Sequence, residues 1–180
     1  MSAFKTSIFV AWGIFWVYWL ISAVNVKQGS RSCRARSPGL AFVIIGYVLV
    51  RVFRPDALVI NSPVLRVVGA VLFVAGLALA VWARIFLGRN WGMPMSVKAE
   101  PELVTSGPYR LVRHPIYSGI LLATIGTALA TNLYWLALFL LMGSYFIYSA
   151  TVEERLMTTS FPDVYPAYKA KTKMLIPFVL

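Results

Sequence analysis

"HPIYSGILLATIGTALATNLYWLALFLLMGSYFIYSATVEE", residues 114–154, decides the fold. No charged side chain lies between His114 and Glu153. About 17–25 apolar residues cross a bilayer, so this run is long enough for two crossings. Thr131-Asn132, uncharged and turn-prone, divides it. The pattern predicts helical spans over 116–131 and 133–150, followed by a polar tail over 151–180. Upstream, a third apolar run covers 66–86, with Arg66 and Arg84 near its ends. The run over 39–54 is short and spans only if Arg51 and Arg54 snorkel to the interface. The first run, 7–24, is rich in Trp and Tyr; a cleaved leader is its other reading, but no A-x-A site follows it. With 59% hydrophobic and 13% charged residues, the composition excludes an ordinary soluble domain. The fold class expected is all-α: one polytopic membrane domain over 1–180 with about five transmembrane helices.

The net charge of +11 rests on 17 Lys and Arg against six acids. These cations sit between apolar runs, where anionic lipid headgroups rather than nucleic acid are the natural partner. Five spans put the termini on opposite sides and bring three segments to one side. That side collects Lys27, Arg31, Arg34 and Arg36, then Arg89, Lys98, Arg110 and Arg113, then Arg155, Lys169, Lys171 and Lys173. The other side holds Lys5, Arg51, Arg54 and Arg66. Positive charge marks the cytosol, so the expected topology has the N-terminus outside and the tail cytosolic, in the cytoplasmic membrane of a prokaryote. The one cysteine, Cys33, can form no internal disulfide, and no Cys/His cluster has metal-site spacing.

Chemistry concentrates in two places. "GPYRLVRHPIYSG", 107–119, holds the one histidine, His114. Pro115 suits the first position of a helix, so His114 stands at the positive end of a helix dipole. Arg110 and Arg113 add to that field, which favours an anion and a neutral imidazole. An interfacial belt of Tyr, Arg and His is the plainer reading. The second place is Glu153-Glu154, two of the six acids, side by side after the last span. A carboxylate at a helix C-terminus opposes the dipole, so the pair is not placed for helix stability. A carboxylate and a cationic cluster on one side suit a zwitterionic ligand. Gly119, Ala123, Gly126 and Ala130, with Gly69 and Gly76, are expected to let helices approach closely in lipid.

Together these stretches resemble the isoprenylcysteine carboxyl methyltransferase and phospholipid methyltransferase family of membrane enzymes. The likeness is carried by "ELVTSGPYRLVRHPIYSG" (102–119), "EERL" (153–156), Phe161, Tyr165, Tyr168, "IP" (176–177) and "LGRNWG" (87–92). It covers about the C-terminal half. The resemblance implies S-adenosyl-L-methionine as cofactor, held by Glu102, Leu103, Val104, Tyr109, His114, Pro115, Ile116, Tyr117 and Glu153. It makes Arg113 and His114 the candidates for groups at the reacting atoms, and a prenylated or lipid-like molecule the acceptor. Two departures stand out. Prenylcysteine enzymes carry an arginine shortly before the acidic pair, where this chain has Tyr148, Ser149, Ala150 and Thr151. Phe161-Pro162-Asp163 replaces the usual Phe-Gly-Glu. Methyl transfer from a sulfonium needs no metal or nucleophilic triad; positioning and water exclusion supply most of the rate. Two other readings remain: an NADPH-dependent oxidoreductase similar to membrane sterol reductases, which share an "RHPxY" element, and a non-enzymatic membrane protein.

Overall fold

The computed structural model describes residues 3–23, 29–31, 58–92, 96–98 and 102–178. The expected span over 39–54, with Arg51 and Arg54, lies outside the described residues, as do Lys27, Arg34, Arg36 and Cys33. Among the described residues there are five α-helices: α1 (Ala3–Ser22), α2 (Pro63–Leu87), α3 (Pro115–Ala130), α4 (Trp135–Ser160) and α5 (Tyr165–Lys171). Short 3-10 turns occupy Gly88–Asn90 and Gly107–Arg110. A three-residue antiparallel pair accompanies the helices, β1 (Gly29–Arg31) with β2 (Ser96–Lys98), Ser30 opposite Val97.

Among the described residues, three helices, α1, α2 and α4, are long and apolar enough to cross a membrane. Their outward faces carry Ile14, Leu20, Val67, Val71 and Leu140, all exposed. An apolar surface facing outward is that of an integral membrane protein. The fourth, α3, is shorter: 16 residues rise only about 24 Å, against a hydrocarbon core of about 30 Å. It is also the central helix. Gly119, Ile120, Ala123, Thr124, Gly126, Thr127, Ala128 and Ala130 are all buried, so α3 is covered by its neighbours.

The small residues do what their spacing implies. On α2 the buried positions Gly69, Phe73, Gly76, Ala80 and Ala83 form one stripe, repeating every three to four residues. The stripe runs antiparallel to α3: Gly69 lies against Gly126 and Ala130, and Gly76 against Gly119 and Ala123. A Cβ on Gly76 or on Gly126 would stand 2.6 Å from the carbonyl oxygen of Gly119 or Gly69. Such backbone contact is open to glycine and, in lipid, supplies the packing that hydrophobicity cannot. Trp12 of α1 adds an indole hydrogen bond to Thr127 Oγ1 at 3.0 Å.

The far end of the bundle is closed by the Thr131-Asn132 turn. Val59 bridges Asn132, and Leu133 N donates to Leu58 O at 3.0 Å. The near end gathers the end of α1, the end of α2 and the start of α3. Arg84, buried on α2, ties the first two. Its Nη2 donates to Ser22 O at 2.5 Å, its Nη1 to Gly88 O at 2.7 Å, and its guanidinium lies 4.9 Å from the Trp91 ring. An intramembrane arginine needs such partners.

One boundary differs from the sequence pattern. Hydropathy drops after Ala150, yet α4 continues to Ser160, because Val152 to Met157 includes five good helix formers. The stop comes from Pro162, which drives Phe161 out of the helical region (φ −134°, ψ 61°). Glu153 and Glu154 therefore lie about two turns inside a helix, not at its C-terminus.

Candidate functional site

Pro115 opens α3 with His114 as the preceding cap residue, as the His-Pro pair implies. Gly107 takes φ +57°, which glycine adopts without strain, and the turn it starts buries Pro108 and Tyr109. The C-terminal tail then lies alongside. Arg113 N donates to Lys173 O at 2.8 Å and His114 N to Met174 O at 3.0 Å. Ser118 Oγ donates to Leu175 O at 2.5 Å, and Tyr168 OH to Tyr109 O at 2.7 Å. The segment before α3 is thus held along its backbone by residues about 60 positions away.

Two carboxylates meet this segment from α4, and they do different things. Glu154, buried, accepts from Arg113 Nε at 2.6 Å and pairs with Lys169 Nζ at 2.8 Å. Arg113 Nη1 also donates to the carbonyls of Thr172 and, at 3.2 Å, Lys169. This is a structural clamp joining α3, α4 and α5. Glu153 points to the other side: its Oε1 accepts from Tyr117 OH at 2.6 Å, and its Oε2 lies 3.4 Å from His114 Nδ1. The rings of His114, Tyr117 and Phe146 stack in series, with planes within 6° and centroids 5.5 and 4.4 Å apart.

His114 corrects an expectation. Neighbouring arginines and the helix start predicted a depressed pKa and a neutral ring. Burial does disfavour the imidazolium, but Glu153 and Glu154 outweigh it and raise the pKa above its ordinary value. The charge of Arg113 is turned to Glu154, and Arg110 is exposed. Nearby phenols stay protonated: burial raises Tyr109 and Tyr165, and pushes Tyr168 up to about 12.

These groups enclose a cavity of about 350 Å³ at the near end of the bundle. Glu102, Leu103, Val104, Tyr109, Arg113, His114, Ile116, Tyr117 and Glu153 line it. Pro115 does not; it is buried and sets the start of α3. Glu102, at the exposed rim, accepts from Asn90 Nδ2 at 2.8 Å. The sequence reading missed part of the wall. Trp16 and Trp19 come from α1, Trp91 from the segment after α2, Phe146 from α4, and Tyr165 from α5. Trp19 meets Trp91 edge to face at 5.7 Å. The Trp16/Trp19 spacing puts both on one helix face, a signal hidden because tryptophans are common in any interfacial belt. Ser149, at the departure from the prenylcysteine pattern, is fully buried and is not part of the wall.

The phospholipid methyltransferase family matches residues 64–164, more than half of the chain. Among relatives, a probable protein-S-isoprenylcysteine O-methyltransferase of Oryza sativa is 31% identical over 116 residues, covering 62% of this chain and 61% of the relative. The cobalt-zinc-cadmium resistance protein CzcN of Cupriavidus metallidurans is 31% identical over 119 residues, covering 64% and 50%. A methanethiol S-methyltransferase of a Pseudomonas species is 33% identical over 81 residues, covering 45% and 31%. The matches thus span about three-fifths or less of these relatives' length.

Proposed function

The chain belongs to the phospholipid methyltransferase family, and from that premise we propose that it transfers a methyl group from S-adenosyl-L-methionine to a lipophilic acceptor at the cytosolic face of the membrane. The observation that carries the reading is the wall of the cavity: the carboxylate of Glu153 beside the stacked faces of His114, Tyr117 and Phe146. A carboxylate with aromatic faces suits a cationic ligand, and the volume suits one small molecule. The residues present therefore fit a sulfonium cofactor, which supplies an already activated methyl group when bound.

In this reading Glu153 holds the cationic end. Glu102, Leu103, Val104, Tyr109, Ile116 and Tyr117 complete the pocket, and Pro115 fixes where α3 begins. His114 reaches the reacting atoms. Arg113, anchored on Glu154 and the tail, is a positioning residue. The tryptophans of α1 and Trp91 exclude water, which strengthens every electrostatic contact inside. The acceptor comes from the apolar side of the bundle, as a prenylated or lipid-like molecule. The near end is assigned to the cytosol because Arg110, Arg155, Lys169, Lys171 and Lys173 are exposed there.

Calorimetry in detergent tests the assignment. Saturable binding of S-adenosylmethionine and S-adenosylhomocysteine is expected, with none for NADPH. Binding of NADPH alone would place the chain with the reductase-like proteins; binding of neither would leave a non-enzymatic role. Labelling of Ser96→Cys and Lys171→Cys in a Cys33→Ala background should occur from the same, cytosolic side. Labelling from opposite sides refutes the topology.

A further inference from the structure

We propose that the end of the tail, residues 175–178, is an interfacial anchor that docks on an anionic lipid leaflet, with Ile176 and Phe178 in the acyl boundary and Lys171 and Lys173 on lipid phosphates. This docking is independent of the reaction that the cavity performs.

Three observations carry it. The first is the course of the chain. Val112 pairs with Lys173 in parallel. From there the tail follows the segment that leads into α3: Lys173 O accepts from Arg113 N, Met174 O from His114 N, and Leu175 O from Ser118 Oγ. Ser118 lies in the first turn of α3, and one turn rises about 5.4 Å. The tail thus descends along the start of the central helix, toward the hydrocarbon. Ile176 emerges about one turn below the lysines.

The second is what emerges. Leu175 is buried, but Ile176 is 52% and Phe178 92% exposed. Leu111, on the segment that pairs with the tail, is exposed as well. Apolar side chains at the edge of a membrane bundle meet acyl chains rather than water.

The third is charge. Arg110, Lys171 and Lys173 are exposed, and each precedes these apolar residues in its own segment. Neither segment carries an acid: none lies between Glu102 and Glu153, and none follows Asp163 in the sequence. Cations ahead of apolar side chains combine insertion with attraction to anionic headgroups. A leaflet supplies both partners at the heights the chain requires, phosphates level with the lysines and acyl chains below. A second copy docked through the same face would set cation against cation. The same tail gives Tyr165 and Tyr168 to the cavity wall, and docking of its end restrains them.

Fluorescence quenching in nanodiscs tests this. A fluorophore is placed on Phe178→Cys in a Cys33→Ala background. The quenchers are a water-soluble nitroxide and a nitroxide on the upper acyl chain of phosphatidylglycerol or of phosphatidylcholine, the two lipids at equal mole fraction. The lipid nitroxides should quench more strongly than the soluble one. The same fluorophore on Asp163→Cys, an exposed acid, should show the reverse. Phosphatidylglycerol should quench roughly fivefold more than phosphatidylcholine, the enrichment that one surface cation supplies. Lys171→Gln with Lys173→Gln should bring the two lipids closer together at an unchanged melting temperature. Quenching of the Phe178→Cys label from water alone places the tail end in the aqueous phase and refutes the proposal. Quenching from neither phase means that protein, the same chain or a second copy, covers it, which also refutes the proposal. Equal quenching by the two lipids, or a preference undiminished by loss of both lysines, overturns the anionic leaflet as partner.

Discussion

Glu153→Gln is the most informative substitution because the structure predicts a split between folding and binding. Glu153 is the acid that faces the cavity, with its side chain 24% exposed, whereas Glu154, at 4%, is enclosed by Arg113, Lys169 and His114. Glutamine keeps the size of the side chain and an oxygen for the 2.6 Å bond from Tyr117 OH. The change therefore removes one charge from a partly solvated position, and the thermal transition should move little. The cofactor, in contrast, loses a charge-assisted contact. Such contacts contribute about 1.5–3 kcal/mol, which weakens S-adenosylmethionine binding by roughly 10- to 100-fold. S-adenosylhomocysteine lacks the sulfonium charge and should lose less if the carboxylate faces sulfur. Titration calorimetry of both ligands on wild type and variant, with melting curves on the same samples, gives all the quantities needed. Unchanged affinity for both ligands in a normally folded variant refutes the assignment of Glu153. So does an equal loss in Glu154→Gln without loss of stability, because the two acids would then be interchangeable.

Arg113→Met removes the partner of a buried carboxylate and should destabilise the protein by about 3–5 kcal/mol, read as a large fall in melting temperature. A stable variant would mean that Lys169 alone satisfies Glu154. Gly76→Ala places a methyl group 2.6 Å from Gly119 O and should cost about 1–3 kcal/mol by forcing α2 and α3 apart. Gly13→Ala, with nothing within 4 Å, should be neutral in the same melting assay; equal effects would refute the zipper. The raised pKa of His114 makes a pH prediction. The imidazolium between two carboxylates contributes stability in full below the unfolded value of about 6.5. That contribution is lost as pH rises through the higher folded value. Wild-type melting temperature should therefore fall across that window relative to His114→Gln, and parallel curves would show that the carboxylates do not hold the ring charged.

The sequence by itself determined the parts set by local chemistry and by the solvent. Uncharged runs of spanning length can be satisfied in lipid only as helices, so α1, α2 and α4 were legible from composition alone. The His114-Pro115 helix start, the Thr131-Asn132 turn and the spacing of Gly69, Gly76, Gly119 and Gly126 were legible for the same reason: each states a backbone requirement within a few residues. The tertiary structure decided what long-range neighbours decide. Arg110 and Arg113, within four positions of His114 in sequence, suggested a cationic site that would keep His114 neutral. Folding turns Arg113 onto Glu154, 41 positions later, and brings two carboxylates to the ring instead. Electrostatic interactions follow distance in space and the dielectric of the surroundings, neither of which is written in sequence separation. Glu153 and Glu154, adjacent in the chain, are assigned opposite roles by the helix that carries them. Successive residues on an α-helix point about 100° apart, so one acid faces the cavity and the other faces the clamp.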